Sequence, residues 1–93
     1  NMRNKLATKL YESGRLYVKM EEYASAIITY EDLLANYYDT ELVDDAHLQI
    51  VKCHALAGEI EKAVDYLANN RKQFSNDDQL AEAEKFIKQN DKN

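Results

Sequence analysis

A pattern of apolar residues recurs along the chain after 37 residues. Its first copy lies in residues 21–30 and its second in residues 58–67, and in each copy apolar positions follow at offsets of 3, 4 and 7. These offsets place the side chains on one face of an α-helix. The positions are Tyr23, Ala26, Ile27 and Tyr30 in the first copy and Ile60, Ala63, Val64 and Leu67 in the second. The sequence therefore predicts a helical repeat protein, in which the small residues Ala26 and Ala63 let a neighbouring helix approach closely.

The same periodicity predicts five α-helices in a single domain that spans residues 1–93. The first, second, fourth and fifth are expected at about 2–20, 22–36, 59–73 and 78–89, and the third is expected to begin after a cap at Asp39 or Thr40 and to end at about Ala57. The very short turn after the first helix makes the first two helices antiparallel neighbours. The chain has no Pro and only 2 Gly among its 93 residues, so little interrupts the helices, and we predict an all-α fold.

Apolar residues also predict which side of the remaining helices faces inward. The inward residues are Leu6, Leu10, Gly14, Leu16, Tyr17 and Met20 in the first helix, Val43, Ala46, His47, Ile50, His54 and Ala57 in the third, and Leu80, Ala83 and Ile87 in the fifth. Gly58 stands where a helix end favours a residue that accepts positive φ. Asp39 or Thr40 is expected to cap the third helix, and Ser75 or Asp77 the fifth.

Small and aromatic residues fall at positions typical of one repeat family. In the first unit these are Gly14, Tyr17, Tyr23, Ala26 and Tyr30, and in the second Gly58, Ala63 and Leu67, with Val51 in place of the usual Gly and His54 in place of the usual aromatic. The sequence thus resembles the tetratricopeptide repeat (TPR), a helix pair of about 34 residues. The resemblance implies antiparallel helix pairs in a right-handed stack, with repeats at about 7–38 and 44–75 and a C-terminal capping helix at about 78–89.

The segment between the two repeats is about three residues longer than in a plain TPR. It reads Leu-Leu-Ala-Asn-Tyr-Tyr-Asp-Thr-Glu-Leu-Val-Asp-Asp-Ala over residues 33–46. This string resembles the inter-repeat segment of BamD-type outer-membrane assembly lipoproteins, which typically reads Leu, a few residues, then Asn-Tyr-Pro-Asp-Thr; here Tyr38 replaces the Pro. The resemblance implies a periplasmic scaffold, tethered by a lipid on a Cys upstream of this chain, that docks on the β-barrel insertion machinery.

Charge is distributed unevenly along the chain, whose formal net charge is −5. Residues 1–20 carry +4, residues 21–65 carry −9, and the remainder is neutral. The acidic middle argues against nucleic acid as a partner, because nucleic acid needs a basic footprint. The basic first helix is either a solvated face or an electrostatic docking surface for a protein partner.

The residues that could carry catalysis or bind metal have structural explanations. His47 and His54 are separated by about 10.5 Å along a helix, which is too far for one metal ion. Cys53 lies mid-helix, where we expect a packed thiol. The carboxylate pairs at 21–22, 44–45 and 77–78 stand at helix starts, where they complement the helix dipole. The sequence therefore predicts no catalytic residue, cofactor or metal.

The TPR resemblance also implies where a partner binds. Its concave groove is lined by the first helix of each pair, and the matching positions here are Tyr11, Arg15, Val18, Lys19, Asp45, Leu48 and Lys52. Such a groove favours a segment with an acidic residue flanked by an apolar one. Chaperone-binding TPRs need a Lys-and-Asn arrangement that Tyr11 and Arg15 do not supply, so chaperone C-terminal tails are not expected as ligands. Tyr37 and Tyr38 form a second candidate contact, because tyrosine is enriched at interfaces, although packing under the loop would also explain them.

These observations favour a non-catalytic protein-protein interaction scaffold, which the resemblance places in outer-membrane protein assembly on the periplasmic side. One alternative is a regulatory or oligomerisation TPR segment of a larger cytoplasmic enzyme or sensor, and another is a small helical enzyme or metal carrier. No stretch approaches the roughly 18 consecutive apolar residues of a membrane span. Asn1 is not a natural start, so we expect a piece of a longer chain, in which an upstream lipid-bearing Cys would distinguish the first two interpretations.

Overall fold

All secondary structure that the computed structural model describes is helical. The structure describes residues 2–74 and 77–91, and no strand occurs among them. The helices are α1 (Met2–Lys19), α2 (Tyr23–Asn36), α3 (Val43–Leu56), α4 (Ile60–Asn69) and α5 (Asp77–Asn90), with a 3-10 turn at Arg71–Gln73 between α4 and α5. The prediction of an all-α fold with five α-helices is confirmed. None of these helices has the length and apolar character needed to cross a membrane.

α3 lies at the centre of the helix packing. It contacts α2, α4 and α5, while α1 packs along α2. Two hydrophobic clusters fill the spaces between these helices. The first cluster, between α1, α2 and α3, comprises Ala7, Ala26, Tyr30, Leu33, Ala46, Ile50 and Cys53, and the second, between α3, α4 and α5, comprises Leu48, Val51, Ala55, Ala63, Leu67, Phe74, Ala83 and Ile87. Because α3 supplies residues to both clusters, it connects the two clusters in one structure.

The 37-residue spacing of the sequence also relates the two clusters. α3 enters the first cluster through Ala46 and Ile50, and α5 enters the second through Ala83 and Ile87, each 37 residues later. The predicted burial of Ala83 and Ile87 is confirmed, with Leu80 partly buried against the same cluster. α5 therefore supplies the second cluster from the same sequence positions as α3 supplies the first, although α5 packs mainly on α3, whereas α3 packs on α2 and hardly contacts α1.

The turns that join α1 to α2 and α3 to α4 share one geometry. Each contains a residue with positive φ, Glu21 at 59° and Gly58 at 83°. The next N–H in each turn closes back on the helix: Glu22 donates to the Tyr17 carbonyl and Glu59 to the His54 carbonyl, both at 2.8 Å. This is the Schellman arrangement of a helix C-terminus. The positive φ predicted for Gly58 is confirmed, and Glu21 adopts the same conformation without the freedom of glycine.

α1 and α2 meet where Gly14 faces the ring of Tyr30. Tyr30 is fully buried, and a Cβ built on Gly14 would lie 2.5 Å from its Cζ atom. Only glycine therefore allows the ring to lie against the α1 backbone. The Tyr30 hydroxyl is also buried and has no hydrogen-bond partner among the described residues. Because burial raises the pKa of this phenol, the unpartnered hydroxyl stays neutral.

The face that α1 buries differs from the predicted one. Its buried residues are Ala7 and Gly14, with Leu10, Tyr11 and Val18 partly buried against the first cluster. The predicted inward residues Leu6, Leu16, Tyr17 and Met20 are each at least 36% exposed. The apolar pattern misplaces this face because α1 approaches α2 closely and packs through its smallest residues rather than its largest.

The inward face predicted for α3 is only part of what this helix buries. Ala46, His47 and Ile50 are buried as predicted, whereas Val43 and His54 are partly buried and Ala57 is exposed. Four further residues of the helix are buried, namely Leu48, Val51, Cys53 and Ala55. The prediction of a single inward face is wrong here because α3 packs against three other helices.

α4 ends earlier than the apolar pattern predicts. Its last residue is Asn69 rather than Gln73, and the chain then tightens into the 3-10 turn. Phe74, which follows this turn, is 7% exposed and packs in the second cluster. Burial of the Phe74 side chain therefore explains the shorter helix, because a helix that continued to Gln73 would place this side chain elsewhere.

The predicted side-chain caps differ from those of the structure. α3 begins after Leu42, which makes no side-chain capping bond. Thr40 Oγ1 instead donates to a carbonyl of the preceding turn at 2.7 Å, and Asp39 forms an ion pair with α1. For α5, Asp77 is the first helical residue rather than the cap, and Ser75 lies outside the described residues.

One polar pair joins α3 to α4 inside the core. His47 is 8% exposed, and its Nδ1 lies 2.7 Å from the hydroxyl oxygen of Tyr66. Burial lowers the pKa of His47, although the nearby Asp44 carboxylate acts in the opposite direction. Burial likewise raises the pKa of Tyr66. Both side chains are therefore neutral at pH 7, and they satisfy one another by a hydrogen bond.

The first prediction concerns the close approach at Gly14. Gly14→Ala should lower the free energy of unfolding by roughly 1 to 3 kcal/mol, because overlap with a fully buried ring outweighs the gain in helix propensity. The second cluster indicates how to relieve the overlap, since Val51 and Leu67 occupy the corresponding places, where a residue larger than Gly faces a residue smaller than Tyr. Tyr30→Leu should therefore recover part of the loss in a double-mutant cycle measured by urea unfolding. Strictly additive losses would contradict this account of the contact.

A second prediction compares two buried phenols. Tyr30→Phe removes a hydroxyl with no partner and should stabilise the protein by roughly 1 kcal/mol, because the desolvation penalty disappears. Tyr66→Phe removes a hydroxyl bonded to His47 and should destabilise it by about the same amount. Thermal and urea unfolding of the two variants measure the difference. If Tyr30→Phe lost as much stability as Tyr66→Phe, the Tyr30 hydroxyl must have a partner.

A third prediction follows from the buried imidazole. His47 has a lower pKa in the folded than in the unfolded chain, whose value is near 6.5, so acid favours the unfolded state. Stability should be constant above about pH 7 and decline as pH falls towards 5.5. His47→Gln should flatten this decline in the urea-unfolding free energy, with His54→Gln as the control. The pKa values of Asp39 and Glu59 are also lowered, but these carboxylates titrate below the window. An equally steep decline in His47→Gln would assign the effect to another group.

Candidate protein-binding site

The residues predicted to line a groove come mostly from one face built by α1 and α3. Tyr11 is central to this face because its ring packs on the buried Tyr30, with ring centroids 5.6 Å apart and planes inclined by 59°. Tyr30 is held in turn against Gly14. The half-buried Tyr11 ring therefore has a fixed position, set by the core beneath it.

The electrostatic surroundings of Tyr11 show which groups converge there. Burial raises the pKa of its phenol, and the Asp45 carboxylate of α3 raises it further. A hydrogen bond with Gln49 and the charge of Arg15 act in the opposite direction. Glu82 of α5 adds a further small increase. Groups from three helices thus act on one tyrosine, so α5 takes part in this face together with α1 and α3.

The cationic side of the face belongs to α1. Arg15 and Lys19 are exposed, and together with Glu12 and Leu16 they line a shallow depression of about 270 Å³. Val18 is only partly available, since it packs against the first cluster. Arg15 and Lys19 are therefore accessible to a partner, whereas Val18 mainly packs α1 against the first cluster.

The α3 side of the face is already paired with α5. Lys52 forms an ion pair with Glu82, and its Nζ lies 5.4 Å from the centroid of the Phe86 ring. Asp45 Oδ1 accepts a hydrogen bond of 2.6 Å from the Gln79 amide. The charge of Lys52 is thus largely compensated within the protein, and it adds little to the cationic patch of Arg15 and Lys19.

Leu48 does not line the groove. It is 6% exposed and belongs to the second cluster, between α3, α4 and α5. Its prediction as a partner contact is wrong because α5 covers this part of α3. The seven predicted groove residues therefore divide into an open group on α1, a paired group on α3 and one core residue.

Tyr37 and Tyr38 lie apart from this face, in the loop between α2 and α3. The Arg3 guanidinium stands 5.3 Å from the Tyr37 ring centroid and forms a 2.7 Å ion pair with Asp39. Its Nη2 also donates to the Asn36 carbonyl at 2.7 Å. The guanidinium lowers the pKa of Asp39 through this pairing. Tyr37 is therefore part of a clamp that fixes the loop to α1, and Tyr38, at 71% exposed, is the member of the pair that a partner could contact.

The other reactive side chains do not assemble into a site. Cys53 is fully buried, and burial raises the pKa of its thiol to about 11, so the thiol stays protonated. His54 Nδ1 lies 3.1 Å from Glu59, whose carboxylate also accepts a bond from Lys62. Within residues 2–74 and 77–91 no group of three His, Cys, Asp or Glu side chains is arranged to hold a metal ion.

Sequence reasoning missed the contribution of α5 and of Gln49. The prediction treats α5 as a cap with a single inward stripe, whereas Gln79, Glu82 and Phe86 form a second stripe towards α3. Their spacing of 3 and 4 residues was the available signal, because such residues share a helix face. Gln49 gives no comparable signal, since a single amide on a helix is ordinarily solvated.

Comparison with known proteins gives no match: no family model, no curated protein and no solved structure is similar to this chain.

Proposed function

We propose that this chain is a TPR-like scaffold, stacked in the right-handed sense of that family, which binds a protein segment and has no catalysis of its own. The repeat assignment is supported by the matching turns at Glu21 and Gly58 and by clusters built from residues 37 apart. The binding role is carried by one observation, the exposed cations Arg15 and Lys19 beside the core-anchored Tyr11. An aromatic ring of fixed position next to open charge is typical of interface anchors.

The geometry defines the chemistry of the bound segment. An acidic side chain would pair with Arg15 or Lys19, and an apolar neighbour would cover the exposed part of the Tyr11 ring. Asp45 and Glu82 lie close enough to affect Tyr11, so a second acidic residue on their side would be repelled. The preferred segment is therefore acidic at one end only.

We further propose that the scaffold works on the periplasmic face of the outer membrane, in the assembly of β-barrel proteins. This setting rests on the resemblance of residues 33–46 to the inter-repeat segment of BamD-type lipoproteins. Cell fractionation, with affinity purification of the native protein, tests it. Recovery with the β-barrel insertion machinery is expected, whereas recovery from the cytoplasm would favour the alternative, a regulatory or oligomerisation segment of a larger enzyme or sensor.

A fourth prediction is that the charge of Arg15 determines how fast the protein associates with an acidic peptide. Synthetic peptides with one Asp or Glu flanked by apolar residues would be measured by surface plasmon resonance at several salt concentrations, with Asn or Gln peptides for comparison. Arg15→Glu should slow association by roughly tenfold and flatten its salt dependence, because long-range attraction sets the encounter rate. Lys9→Glu makes the same charge change about 200° around α1 from Tyr11 and should have a much smaller effect.

The same experiment assigns the lifetime of the complex to Tyr11. Tyr11→Ala should speed dissociation by roughly tenfold while leaving the salt dependence nearly intact, since dissociation depends on short-range contacts. Thermal melts of this variant must accompany the kinetics because Tyr11 also packs on Tyr30. If a folded Tyr11→Ala and Arg15→Glu both bound like the parent, the contact would lie elsewhere, and Tyr38 would be the next residue to test.

A further inference from the structure

An open slot lies between α4 and α5, away from the proposed binding face. It has a volume of about 300 Å³. Its lining residues are Val64, Leu67, Ala68, Arg71, Glu84 and Ile87. Val64 is 47% exposed, although it belongs to the apolar pattern that otherwise packs against neighbouring helices. The slot therefore combines an apolar floor with a charged pair, Arg71 and Glu84, whose side chains approach to 3.7 Å at the rim.

Every lining residue of this slot has a counterpart 37 residues earlier. The counterparts, in the same order, are Ile27, Tyr30, Glu31, Leu34, His47 and Ile50. These residues lie between α2 and α3, as the slot residues lie between α4 and α5. Equivalent sequence positions thus lie between two helix pairs, and the less extensive contact between α4 and α5 leaves the later pair with the open slot.

The surface formed by the earlier positions, between α2 and α3, is filled by Tyr66 of α4. The ring packs against the cluster that contains Tyr30 and Ile50, and its hydroxyl bonds to His47 at 2.7 Å. The Glu31 carboxylate is also near, since it adds to the effect of burial on the phenol. A tyrosine presented by an α-helix is therefore the occupant that this surface accepts inside the protein itself.

We propose that the slot between α4 and α5 binds an amphipathic helix of a partner, anchored by a tyrosine in the place that Tyr66 takes between α2 and α3. This surface is separate from the Tyr11 face and extends the proposed function to a second contact. The interface already present between α4 and the α2/α3 surface supplies the geometry, and the slot continues it by one repeat. A helix lying in such an apolar groove is an established mode of recognition.

The differences between the two surfaces adapt the slot to its occupant. Leu67 and Ala68 stand in place of Tyr30 and Glu31, which leaves more room for a large ring and removes one negative charge. Glu84 stands in place of His47, so the tyrosine hydroxyl would donate to a carboxylate, a stronger hydrogen bond than one between neutral groups. Tyrosine is therefore expected to bind better than phenylalanine.

The probe for this proposal is a synthetic peptide with the sequence of residues 58–74, capped at both ends, because its α4 segment fills the earlier surface. It would be titrated into the isotope-labelled 93-residue protein and followed by amide chemical shifts. Saturable shifts are expected at Val64, Ala68 and Ile87. A peptide with Tyr66→Ala should bind at least about tenfold more weakly, and one with Tyr66→Phe should lie between them.

Variants of the protein locate the site. Val64→Glu places a charge in the slot at an exposed position and should weaken peptide binding at least about tenfold. Ile28→Glu is the matched control, since Ile28 is 60% exposed on α2 and is not part of the slot. Ala68→Glu provides a second slot variant if Val64→Glu fails to give the parent's circular-dichroism spectrum.

Several outcomes would overturn the proposal. Absence of saturable shifts, equal binding of the parent and Tyr66→Ala peptides, or equal binding by Val64→Glu and the parent protein would each exclude a tyrosine-anchored helix. Shifts centred on His47 would mean that the peptide displaces the chain's own α4. Shifts at Val64 and Ile87 that follow the concentration of the protein alone would identify a second copy, rather than a separate partner, as the occupant.

Discussion

The contact between the Tyr30 ring and the Gly14 backbone determines much of the first half of the protein. Because Gly14 has no Cβ, α2 can approach α1 closely enough to bury the whole ring. This close approach explains why α1 packs through Ala7 and Gly14 and leaves larger side chains in solvent. It also fixes Tyr11, which packs on the outer side of the same ring. The proposed binding face therefore depends on a core contact, and its aromatic anchor cannot be considered apart from the packing beneath it.

The second half of the protein reaches similar packing with different side chains. At the positions of Gly14 and Tyr30 it has Val51 and Leu67, so a residue larger than Gly on one helix faces a residue smaller than Tyr on the other. Total volume in a core matters more than the identity of each residue, provided that the pattern is kept. The backbone is more uniform, since both turns use a positive φ and the same closing hydrogen bonds. The halves are thus related by backbone geometry more than by residue identity.

Helical periodicity predicted the features that depend on local spacing, and it failed where the identity of the neighbouring helix decides the outcome. The helices, the burial of Ala26 and Ala63 and the positive φ at Gly58 follow from local pattern. The burial of Leu48 and the pairing of the Lys52 charge do not follow from local pattern, because both depend on where α5 packs. A hydrophobic pattern states that a residue will be buried without stating against which element. For the candidate site, the α1 residues could therefore be predicted, whereas the spacing of the α5 residues indicates a shared helix face without indicating that this face contacts α3.

α5 links the two surfaces proposed to bind partners. Glu82 forms an ion pair with Lys52 on the Tyr11 face, whereas Glu84, two residues later, lies at the slot beside Arg71. Residues two apart on a helix are separated by about 200° around its axis, so these carboxylates lie on opposite sides of α5. Occupation of the slot would leave the Tyr11 face open, and the reverse also holds. A segment on the Tyr11 face and a helix in the slot could therefore be held at the same time by one small helical protein, which is the property that a scaffold requires.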